Sequence, residues 1–192
     1  LTENWSVAGM MRYDIDAKRG EALVTGLMER GCDPSYSKHT RYDGGLGHAF
    51  ARVFKFLVPK ADCRVVPVMV NTYYPPAPSA KRCLQFGQTL ASLIREYPGD
   101  DRVVIAASGG LSHTKIDEAL DRNFIAALET HDTGAMSAMP SSVFREGTSE
   151  ILNWIAVVGA ANKPGNMIDY RPLYRTKTGV GCAMGFAHWD LN

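Results

Sequence analysis

Little in this sequence is extreme, and each thing it lacks removes a class of protein. Basic residues scarcely outnumber acidic ones, 21 against 20 for a net charge of +1. No positive excess points to a nucleic acid or an anionic membrane as partner. The apolar runs break well short of the ~18 residues that a membrane-crossing helix needs. The opening Leu1-Thr2-Glu3-Asn4-Trp5 has no basic n-region and no apolar h-region, so it does not read as a secretory signal. It begins on Leu, which gives the expectation of a processed chain or an internal piece of a longer one. Cysteine is sparse: Cys32, Cys63, Cys83 and Cys182 form no C-x-x-C pair, and none neighbours a histidine at zinc-ligand spacing. Reduced, mostly buried thiols in a cytoplasmic protein are expected.

What is present suits an ordinary globular chain. Apolar residues make up 45% and charged residues 21% of the 192 positions, which excludes disorder. A chain of this length fits one domain and buries roughly 70% of its unfolded surface without disulfides or a structural metal.

Hydrophobic spacing predicts helices over Ile15–Arg30, His48–Val58, Ser79–Tyr97, Asp117–Leu128 and Ser149–Ala161. Gly31 stops the first in a left-handed turn, and Ser79 caps the third. Thr148 or Ser149 is expected to cap the last. Arg64–Val70 and Arg102–Ala107 read as buried strands, although Pro67 marks an edge or bulge in the first. Ser35–Tyr42 is a weaker strand, Asp43-Gly44-Gly45 a turn, Thr130–Ser142 a loop, and Val180–Phe186 a glycine-rich strand. Strands alternating with helices argue a single α/β domain over residues 1–192, a sheet covered by helices.

Five histidines exist: His39, His48, His113, His131 and His188. His113 is the best placed, in Ala106-Ala107-Ser108-Gly109-Gly110-Leu111-Ser112-His113, where a strand runs into two glycines. Glycines let the backbone turn sharply and approach a ligand closely, and ligands of open α/β sheets sit beyond strand C-termini. An imidazole there suits proton transfer near neutral pH. Ser108 or Ser112 with His113 invites a serine-hydrolase reading, although the segment lacks G-x-S-x-G. Glu150 starts a helix and reads either as a dipole-complementing carboxylate or as a metal ligand. Glu146 competes for the second role, and spacing does not choose between them. His48 stands at a glycine-rich helix entry. His39 is expected to be solvated, His188 to pack with Trp189, and His131 has no assigned role.

Three blocks together resemble the class III extradiol ring-cleaving dioxygenases, the family of protocatechuate 4,5-dioxygenase β subunits and dihydroxyphenylpropionate dioxygenases. They are Gly47-His48-Ala49-Phe50; Val66-Pro67-Val68 through Asn71, Tyr74-Pro75-Pro76 and Lys81-Arg82-Cys83 to Gly87; and Ser108-Gly109-Gly110-Leu111-Ser112-His113 with Ser149-Glu150-Ile151 and Asn153-Trp154. The likeness runs from about Gly44 to Phe186. It implies a non-heme Fe(II) held by two histidines and a glutamate, with Glu150 as the glutamate, His113 as the acid–base residue and His48 in the substrate pocket. The family's iron-binding histidines lie beside N-terminal strands that have no counterpart here, so the chain resembles a C-terminal portion, expected to hold iron poorly alone. The implied reaction is meta cleavage of a catechol-type diol by dioxygen, in a homo-oligomer or with a small α subunit. A facial triad leaves three positions on iron for diol and dioxygen, and a neutral imidazole nearby moves the phenolic proton. The alternatives are a non-catalytic, iron-free relative and, further off, the serine hydrolase.

Overall fold

A strand exists only where a second strand takes its backbone hydrogen bonds, and this condition decides much of the architecture. The computed structural model describes residues 13–38 and 46–190. His39, the Asp43–Gly45 turn and the end of the Ser35–Tyr42 segment lie outside them. Residues 35–38 form no strand. The chain is mixed α/β, and its contacts divide it into two units, residues 1–69 and 70–192.

In the first unit β1 (Asp14–Ile15) pairs in parallel with β2 (Arg64–Val65), and helices α1 (Ala17–Glu29) and α2 (His48–Leu57) complete it. Ile15, expected on the apolar stripe of α1, lies in β1 instead and is exposed. Asp16 starts α1 by accepting the Arg19 N–H at 3.1 Å, and Arg64 pairs with the same carboxylate at 3.2 Å. Gly31, at φ +73°, ends it. The Cys32 and Gly31 N–H groups reach back to the Leu27 and Met28 carbonyls, which is the Schellman stop. In α2, Phe54 meets Tyr13 with ring centroids 4.7 Å apart, while Phe56 and Leu57 are exposed.

The second unit holds α3 (Ala80–Glu96), β3 (His113–Lys115), α4 (Glu118–Thr130), α5 (Thr133–Ser137), α6 (Ile151–Ala161), β4 (Asn166–Tyr174) and β5 (Val180–His188). Ser79 caps α3, accepting the Arg82 N–H at 3.2 Å. α3 and α6 pack backbone to backbone. A Cβ on Gly87 would lie 1.8 Å from the Ala156 carbonyl oxygen, and one on Gly159 2.2 Å from that of Leu84. The core joins Leu84, Phe124, Leu128, Met136, Leu152 and Ile155. The sheet has the antiparallel order β3-β5-β4. Pro172 lies in β4, an outer strand of that order, where its missing N–H costs no inner ladder bond.

Four expectations are corrected. Residues 102–107 pair with no strand among the described residues, and Val104 is 79% exposed. Of the Arg64–Val70 segment only Arg64–Val65 is paired. Residues 66–70 and 102–107 are apolar runs whose β-tolerant residues meet no ladder partner among the described residues, so propensity alone leaves them irregular. The Thr130–Ser142 loop contains α5, started by Asp132, whose side chain accepts the Ala135 N–H at 2.8 Å. Finally, α6 begins at Ile151 after a 3-10 turn (Glu146–Glu150), and neither Thr148 nor Ser149 caps it. Those hydroxyls are used elsewhere: Ser149 donates to the Glu146 carbonyl, and Thr148 bonds the backbone of His113.

Candidate functional site

Residues 108–112 carry the chain through a glycine turn into β3. Gly109 sits at φ +133°, a conformation that glycine adopts without strain. The turn is fixed on two sides. Against β5, the Leu111 N–H donates to the Ala183 carbonyl at 2.9 Å and the Ala183 N–H to the Ser112 carbonyl at 2.8 Å. From α6, the Asn153 side-chain amide holds the Ser108 carbonyl, and the Trp154 indole N–H holds that of Gly109, both at 3.1 Å.

That anchoring brings Glu150 onto the turn. Its Oε2 accepts the Gly110 N–H at 2.9 Å. A Cβ on Gly109 would stand 2.7 Å from the Glu150 Cβ, so only glycine admits this approach. Oε1 faces His113 Nε2 at 3.8 Å, within ion-pair range when the ring is protonated and too long for a hydrogen bond. His113 is held at every other point. Its N–H donates to Thr148 Oγ1 at 3.1 Å, and the Thr148 hydroxyl donates to its carbonyl at 3.2 Å. Ring atom Nδ1 lies 3.1 Å from the Leu111 carbonyl oxygen. A carbonyl only accepts, so Nδ1 carries hydrogen and Nε2 is the atom free to exchange a proton. Gly147 lies close against the ring, where a Cβ would fall 1.8 Å from Nε2.

Behind the turn is a buried polar cluster. Asp121 of α4 is fully buried and accepts the Ser112 N–H at 2.8 Å, the Ser112 hydroxyl at 2.7 Å and the Tyr170 hydroxyl at 2.8 Å. Ser112 Oγ in turn accepts the Asp117 N–H at 2.8 Å. Burial, and then the bond to Asp121, pushes the Tyr170 phenol well above its ordinary range, so it stays a donor. Cys182, paired in register with His113, has its thiol raised by burial first and then by the Glu150 and Asp121 carboxylates.

The structure therefore brings His113 and Glu150 together. His48 is the first residue of α2, exposed, in the other unit. Glu146 is exposed at the start of the 3-10 turn. Ser112 as the nucleophile of a serine hydrolase fails on geometry. Ser112 is fully buried, and its hydroxyl is committed to Asp121 and the Asp117 N–H rather than to a histidine. Asp121, Tyr170 and Gly147 escaped the sequence reading, and Thr148 was read only as a helix cap. Gly147 and Thr148 adjoin the Ser149-Glu150 block, but nothing in a linear pattern shows that an α4 aspartate reaches Ser112.

The same geometry measures the fit to a metal ion. Glu150 offers Oε1 as a hard oxygen donor while Oε2 is oriented by a backbone N–H, the outer-shell support that metal-binding carboxylates use. No group of three His, Cys, Asp or Glu side chains able to hold an ion forms among the described residues. Glu150 fits as one donor of a larger set.

A gallate dioxygenase of Pseudomonas putida is 38% identical over 74 residues, 37% of this chain and 22% of that protein. A 2,3-dihydroxyphenylpropionate/2,3-dihydroxicinnamic acid 1,2-dioxygenase of Pseudomonas putida is 32% identical over 109 residues, 56% of this chain and 32% of that one. Its namesake from Photorhabdus laumondii is 23% identical over 111 residues, 57% of this chain and 33% of that one. The matched stretches thus span about a fifth to a third of these relatives' lengths. The description "Catalytic LigB subunit of aromatic ring-opening dioxygenase" matches residues 3–185, and across nearly its whole length the chain belongs to that family.

Proposed function

We propose that this chain carries part of the active site of an Fe(II)-dependent extradiol dioxygenase that opens a catechol-type ring. The observation that supports it most directly is the His113–Glu150 pair at 3.8 Å on a glycine turn, within a chain of the ring-opening family. Bound Fe(II) would supply Lewis acidity and a common site for diol and dioxygen. Glu150 Oε1 serves as one of its protein donors, held in aim by the Gly110 N–H. His113 Nε2 takes a proton from a phenolic hydroxyl and returns it during ring opening. Its Nδ1–H stays on the Leu111 carbonyl throughout. His48 is assigned to the substrate, as a polar residue at the entry to α2. Four free cysteines suit a reducing, cytoplasmic setting. Association with further copies or a small α subunit belongs to the same reading, supported by exposed Phe56, Leu57 and Met69.

Iron content and oxygen uptake test it together. In protein that carries the full set of iron ligands, gallate, protocatechuate or dihydroxyphenylpropionate should give Fe(II)-dependent oxygen consumption with ring-opened product. Glu150→Gln should lower iron content sharply and Glu146→Gln change it little. The reverse pattern would show that the carboxylate assignment is displaced by about one helical turn.

A further inference from the structure

The peptide group between Leu111 and Ser112 is bonded at both ends. Its N–H, on Ser112, donates to Asp121 Oδ1 at 2.8 Å. Its C=O, on Leu111, accepts His113 Nδ1–H at 3.1 Å. One rigid plane thus connects a fully buried carboxylate to the ring of His113. We propose that Asp121 is a positioning residue for His113: acting through the Leu111–Ser112 peptide, it holds the imidazole in the Nδ1–H tautomer with Nε2 turned toward Glu150. This rests on the catalytic reading of His113 only for its consequence in turnover; the tautomer itself does not depend on that reading.

Three features support it. The carboxylate is held from several sides, with the Ser112 and Tyr170 hydroxyls on Oδ2 at 2.7 and 2.8 Å, leaving Oδ1 to the Ser112 N–H. Asp121 lies on α4 and Tyr170 on β4, so the plane is tied to two elements that do not themselves touch the ring through these bonds. A carboxylate drawing on a peptide N–H also polarises that peptide, which strengthens its carbonyl as an acceptor. A histidine's tautomer is set by the bond that its other nitrogen makes. Here that bond goes to a carbonyl whose plane Asp121 fixes. Ser112 thereby has a role without being a nucleophile, since its N–H and hydroxyl both anchor the carboxylate.

The test reads the His113 ring directly by 15N NMR at pH 9, where an ordinary imidazole is neutral, on metal-free protein with His113→Gln for assignment. The wild-type ring should be overwhelmingly the Nδ1–H tautomer. Asp121→Leu should give mixed tautomers, and in the iron-loaded protein a kcat lowered about 10- to 100-fold with KM within about threefold. Asp121→Asn keeps an oxygen for the Ser112 N–H and should restore the tautomer and most of kcat. An Nε2–H ring in the wild type would overturn the proposal whether or not any variant folds. So would an unchanged tautomer in Asp121→Leu. A tautomer change that leaves kcat of the iron-loaded protein unchanged would uphold the peptide link and refute the catalytic reading of His113.

Discussion

Gly147→Ala is the most demanding substitution this geometry suggests. The new Cβ would fall 1.8 Å from His113 Nε2, 1.9 Å from Cδ2 and 2.4 Å from Cε1, where ordinary contacts begin near 3.5 Å. The ring must therefore retreat by roughly 1.5 Å or more. It has little room to do so. Nδ1 is bonded to the Leu111 carbonyl, the backbone is bonded twice to Thr148, and Cys182 is the partner across the sheet. Overpacking of this kind costs about 1–3 kcal/mol, and losing the Nδ1 bond adds about 1 kcal/mol. At about 2–4 °C per kcal/mol for a chain of this size, Tm should fall by about 5–15 °C. A displaced ring also loses its alignment with the substrate, so kcat should fall about 100-fold. Gly20→Ala is the matched control. It lies inside α1, and its Cβ would find Val66 at an ordinary 3.7 Å, so it should stabilise by about 0.5–1 kcal/mol. Thermal melts and oxygen-electrode assays of both variants decide the matter. A Gly147→Ala protein within 2 °C of wild-type Tm and about threefold of its kcat would refute the close approach of Gly147 to His113.

Three further outcomes are expected. In protein that carries the full set of iron ligands, His113→Ala should retain iron near stoichiometry, measured by metal analysis, while losing turnover by about 10²- to 10⁴-fold; loss of iron together with activity would make His113 a ligand. Burial raises the Cys83 thiol from 9.0 to about 11, so folding favours the protonated form. Its contribution to stability is complete below pH 9 and is lost as pH rises toward 11; melts across that interval should show a shallower decline in Cys83→Ala than in wild type. A fluorophosphonate probe should leave Ser112 unlabelled in the folded chain, and labelling seen by peptide mass spectrometry would contradict its enclosure beside Asp121.

Much of this protein follows from local sequence. Helices α1, α3 and α4 follow from apolar spacing, and the cap at Ser79 and the stop at Gly31 from short-range chemistry within a turn or two. The Gly109-Gly110 turn and His113 were also legible, because glycines beside a chemically active side chain form a compact linear pattern, whereas Glu150 was singled out only by the family resemblance. What required the tertiary structure was everything set by distant partners. Val103–Ile105 has the composition of a strand and is none, since no ladder partner meets it among the described residues. Asn166–Tyr174 is a strand despite Pro172, because β5 lies alongside it and an outer position tolerates the missing N–H. Spacing left Glu150 and Glu146 equivalent; the fold separates them by carrying the 3-10 turn past the His113 ring, so that one carboxylate reaches Gly110 and the other stays exposed. The bond from Asp121 to Ser112 has the same origin. Periodicity places a residue on a face, but which groups share a hydrogen bond depends on where separate elements come to rest, and that is settled only when their apolar faces pack together.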